Sequence, residues 1–78
     1  MKILFYDAKK YDIESFEKEQ IKYPDIKIDF LDTDINEKTA VLANGYDAVC
    51  GFVNSDLSAD VLHILWGQGV RLLLMRQS

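Results

Sequence analysis

Four short apolar runs, each parted from the next by a stretch of helical or turn-forming sequence, leave this chain few folds to choose from. Residues 3–6, 26–31, 48–53 and 70–75 read as strands. Between the first two, Ile13, Phe16 and Ile21 recur at helical spacing, until Pro24 and Asp25 break the pattern. Asp12 is placed to cap that helix, with Tyr11 and Phe16 on either side of the cap as a hydrophobic staple. Asn36 is placed to cap a second helix carrying Ala40, Val41 and Leu42 and ending at Asn44-Gly45. Ser58 is placed to cap a third, with Val61, Leu62 and Leu65 inward, Leu57 and Leu62 as a second staple, and Gly67 and Gly69 as its stop.

Strands that alternate with helices are joined by crossovers, so they run parallel with right-handed connections. The expected fold is an α/β flavodoxin-like open parallel sheet, strand order 2-1-3-4, with helices on both faces. The second run alternates Ile26, Ile28 and Phe30 with Lys27 and Asp29, as in a strand near a sheet edge. The third run is continuously apolar apart from Gly51, as for a central parallel strand, and the fourth, residues 70–75, reads as a strand buried on both faces.

A chain of 78 residues makes one small domain, which hides only about 60% of its unfolded surface. Its 49% apolar content argues against disorder. A net charge of −4 and a pI near 4.7 argue against nucleic acid or an anionic membrane as partner. No apolar run approaches the roughly 18 residues of a membrane span. The N-terminus reads as a first strand, not a signal peptide. Cys50, inside the third run, reads as a buried thiol, and a reduced cytoplasmic setting fits.

In an open α/β sheet, ligands gather beyond the carboxyl ends of the strands. That rule selects residues 7–9, 32–33, 52–54 and 76–78, and brings Asp7 toward Asn54 at the switch point between the first and third strands. Other motifs fail on context. Gly67-Gln68-Gly69 follows a helix and precedes a strand, the reverse of a dinucleotide fingerprint. His63 lies mid-helix, off the apolar face and without a metal-ligand partner at matching spacing. Asp29, Asp32, Asp34 and Glu37 lack calcium-loop spacing, and Lys9 and Lys10 read as a solvated turn. A receiver-type signalling module shares this strand order, and Asp7 suits one of its acidic positions. Its phosphoacceptor Asp belongs at the end of the third strand, however, and Asp56 comes two residues late.

The segments MKILFYDAKKYD, NEKTAVLANGYDAVCGFVN and GVRLLLMRQS together resemble the D-isomer-specific 2-hydroxyacid dehydrogenases, most closely the NAD-dependent D-lactate dehydrogenases. The resemblance implies that residues 1–78 are the N-terminal part of a split substrate (catalytic) domain. The fifth strand, the NAD-binding domain and the catalytic Arg, Glu and His would all lie beyond it. It implies substrate-binding roles for four residues. Phe52 matches an aromatic pocket position, and Asn54 lies beside it. Arg76 sits in a Leu/Met-Arg step that positions the following loop. Ser78 matches the first of two backbone donors to a substrate carboxylate. On the residues alone, Phe52 is equally a packing residue and Arg76 equally a carboxylate's partner.

The resemblance further implies NAD as cofactor of the intact enzyme, with none bound by these residues, and a small 2-oxo or 2-hydroxy acid as substrate. The 78-residue chain is expected to be inactive alone. It is also expected to self-associate as a homo-oligomer through apolar surface near the fourth strand and third helix. The alternative is a stand-alone flavodoxin-like binding or receiver-type module. One departure from the family pattern is Ile64 and Trp66, where relatives usually carry charge. These two mark either a contact surface or a wider core stripe.

Overall fold

The computed structural model describes residues 1–52 and 58–76. Strand β1 (Lys2–Phe5) leads through helix α1 (Lys10–Gln20) to β2 (Lys27–Phe30). A short 3-10 helix (Ala40–Ala43) precedes β3 (Ala48–Phe52), and helix α2 (Ala59–Gly67) precedes β4 (Leu72–Arg76). The strands form one parallel sheet in the expected order β2-β1-β3-β4.

Side chains on a strand alternate between faces, so β1 feeds two cores at once. Leu4 and Tyr6 share one face with Val49, covered by Ile35, Ala40, Ala43, Val61, Leu65 and Val70 from the 3-10 helix and α2 segments. Phe5 and Cys50 share the other, packed with Ala8 under Ile13 and Phe16 of α1 and beside Ile28 and Phe30 of β2. Phe5 meets Phe16 edge-on, with ring centres 5.3 Å apart. Cys50 is buried, as expected.

Four local expectations need correction. Helix α1 starts earlier than expected: Lys9 is its N-cap, and Asp12 sits three residues inside. The buried Asp12 carboxylate accepts the Lys9 backbone N–H at 3.1 Å, the reciprocal half of a capping arrangement. Tyr11 is therefore on the helix and exposed rather than stapled, and Ile21, past the last turn, is 84% exposed.

The expected second helix is a single 3-10 turn. The Asn36 carboxamide accepts N–H bonds from Lys38 and Thr39, and Thr39 Oγ1 donates to the Asp34 carbonyl. These local bonds compete with helix formation. Gly45, at φ +88°, ends the segment before a second turn can follow. One turn suffices to bury Ala40 and Ala43, while Val41 and Leu42 face solvent.

The expected third helix is α2. Ser58 caps it, accepting from the Val61 N–H at 3.4 Å. Its end is a Schellman arrangement. Val70 N–H bonds the Leu65 carbonyl, Gly69 N–H bonds that of Trp66, and Gly69 takes φ +98°. Val61 and Leu65 are buried, but Leu62 is exposed. Ile64 packs on the core, so it widens the apolar stripe. Trp66 is 61% exposed beneath the Arg71 guanidinium, which lies 4.2 Å from its ring centre. Leu57, the other half of the expected staple, lies outside the described residues.

The fourth correction concerns β4, which is not buried on both faces. The strand order puts it at the sheet edge, and among residues 72–75 only Leu73 packs against the core. Leu72, Leu74 and Met75 are exposed.

Candidate functional site

The carboxyl ends of the strands are built by loop residues tied across the sheet. Tyr6 N–H donates to the Cys50 carbonyl at 2.9 Å, holding the end of β1 against β3. Asp7 N–H donates to the Thr33 carbonyl and Ala8 N–H to that of Leu31, both at 2.9 Å, holding the same loop against the end of β2. Phe52 and Arg76 are register partners, the last pair of the β3–β4 ladder. Two of the four expected site residues thus have adjacent backbones at the carboxyl edge. Asn54 and Ser78 lie outside the described residues, and with them the expected approach of Asn54 to Asp7.

Asp7 turns the chain at the switch point with φ +54°, the one non-glycine residue in the left-handed region among those described. Asp tolerates that region better than most residues because its short polar side chain bonds locally. Here the carboxylate holds the Lys9 ammonium at 2.9 Å, and that hydrogen bond, then the charge, raises the Lys9 pKa above its ordinary value. The pair is solvent-exposed and adds little to stability. Backbone strain should therefore decide substitutions. Asp7→Gly is expected to change stability by less than about 1 kcal/mol, because relief of strain is offset by a freer unfolded chain. Asp7→Val should cost about 2 kcal/mol. Urea midpoints of the two variants check the difference; equal midpoints would remove the strain argument.

Sequence reading missed Tyr6. Its phenol is fully buried and donates to the Thr39 carbonyl at 2.6 Å. Burial first, and the neighbouring Tyr46 second, push its pKa from 10.0 to about 12. The only signal was a hydroxyl at the end of an apolar run, which needs a partner when buried.

Among the described residues, no group of three His, Cys, Asp or Glu side chains is placed to hold a metal. His63 is exposed on α2, and the loop acids Asp32, Asp34 and Glu37 are exposed with it. Gly67-Gln68-Gly69 closes the carboxyl end of α2, which presents carbonyls where a pyrophosphate needs N–H donors. Two grooves lie away from the carboxyl edge. One, of about 270 Å³, runs between Phe16, Gln20 and Tyr23 and the start of β2. The other, of about 230 Å³, lies between Leu62, Trp66 and the start of β4. No helix among the described residues is long and apolar enough to cross a membrane.

The family model of the D-isomer specific 2-hydroxyacid dehydrogenase catalytic domain matches residues 3–77. The chain belongs to this family. It is 44% identical to a D-lactate dehydrogenase of Curvularia clavata, an alignment covering 100% of this chain and 23% of that one. It is 38% identical to the D-lactate dehydrogenase of Escherichia coli, covering 97% and 23%. Salmonella D-lactate dehydrogenase superposes with a TM-score of 0.91 at 37% identity, over 100% of this chain and 23% of the enzyme. The chain thus spans about a quarter of the length of these dehydrogenases. Family membership removes the receiver-type reading, which rests on strand order and on Asp7 alone.

Proposed function

We propose that these residues supply the first part of the catalytic domain of an NAD-dependent D-lactate dehydrogenase that interconverts pyruvate and D-lactate. The observation that carries this is the match over nearly the whole chain to D-lactate dehydrogenases about four times its length. The carboxyl edge of the sheet would form one wall of the 2-oxo acid pocket. Phe52 would line it with Asn54 beside it, Arg76 would set the following loop, and Ser78 would offer a backbone N–H to the substrate carboxylate. The pairing of Phe52 with Arg76 across β3 and β4 supports a shared role. A small 2-oxo acid needs donors for its carboxylate, an apolar wall for its methyl group and exclusion of water while hydride moves. NAD and the proton donor would belong to other parts of the longer, cytoplasmic, oligomeric enzyme.

A chimera tests this. Residues 1–78 replace the corresponding segment of Salmonella D-lactate dehydrogenase, and pyruvate-dependent NADH oxidation is followed. The chimera should turn over, the 78-residue chain alone should not, and Arg76→Ala in the chimera should lower kcat/KM roughly 100-fold, as for a displaced positioning group. A folded chimera without activity, or turnover by the 78 residues alone, would overturn the proposal.

A further inference from the structure

We draw no further inference here: the strongest candidate, the apolar groove between α2 and the β4 edge lined by Leu62, Trp66 and Leu72, is an unpartnered face, and nothing in the structure shows whether a second copy or another stretch of a longer polypeptide covers it.

Discussion

Tyr6→Ala should remove a large share of the chain's stability, read as a lower urea midpoint. The side chain is fully buried and packs in the cluster formed by Leu4, Ile35, Val49, Val61 and Leu65. Emptying a site of this size costs about 3–5 kcal/mol. A domain of 78 residues has roughly 4–12 kcal/mol in total, so the loss takes a large share or all of it. Tyr6→Phe separates the hydrogen bond from the packing. The Thr39 carbonyl keeps a second donor, the Leu42 N–H at 3.0 Å, so this change should cost only about 1 kcal/mol.

The same phenol makes stability depend on alkaline pH. Its folded pKa, about 12, lies above the ordinary 10.0, so the folded chain holds the proton more tightly. That contribution is fully present below pH 10 and is lost as pH rises toward 12. Tyr46 acts in the same direction, raised by its hydrogen bond to Asp29 and then by burial. Urea denaturation across that window should show stability falling, and more gently in Tyr6→Phe. An unchanged slope in that variant would remove Tyr6 as the cause.

The 78-residue chain should associate reversibly as its concentration rises. β4 sits at the sheet edge with Leu72 45% and Leu74 40% exposed, and Leu72 lines a groove with exposed Leu62 and Trp66. An edge strand offers backbone N–H and C=O groups to any other strand, and proteins usually guard it with charge. The opposite edge is so guarded: Lys27 is exposed on β2, and Asp29 alternates with its apolar residues. On β4, residues 72–75 carry no charge, and Arg71, just before the strand, is folded back onto Trp66 and the carbonyls of Trp66 and Val70. Leu74→Lys should restore a monomer with little loss of stability, since Leu74 already meets solvent. Sedimentation velocity over a wide concentration range reads this directly. A monomer throughout would show that the exposed edge is benign.

Much of this was legible in the sequence because it rests on local pattern. The continuous run at residues 48–53 marks an inner parallel strand, and β3 lies between β1 and β4. The alternation at 26–31 marks an edge, and β2 is one. Ser58 and Gly69 bound α2 by capping chemistry that acts within a few residues. The corrected features each turn on competition or on neighbours distant in sequence. Asp12 was read as a cap because cap and third position favour the same residue type. The Asn36 segment shrank to one turn because side-chain bonds and Gly45 outweighed a weak helical pattern. Of the candidate site, the strand ends were found by rule, and Phe52 and Arg76 by resemblance; their shared register came from the sheet.

The sequence by itself determined the alternation of strand and helix, because periodicity is written along the chain, and three of its segments carried the resemblance to the family. Only the tertiary structure decided which β4 side chains meet solvent, that Asp7 turns through left-handed backbone and that Tyr6 is sealed against Thr39. The physical reason is that an apolar pattern records which positions must leave water, and not which surface will cover them. For residues 72–75, the sheet's end leaves that surface open.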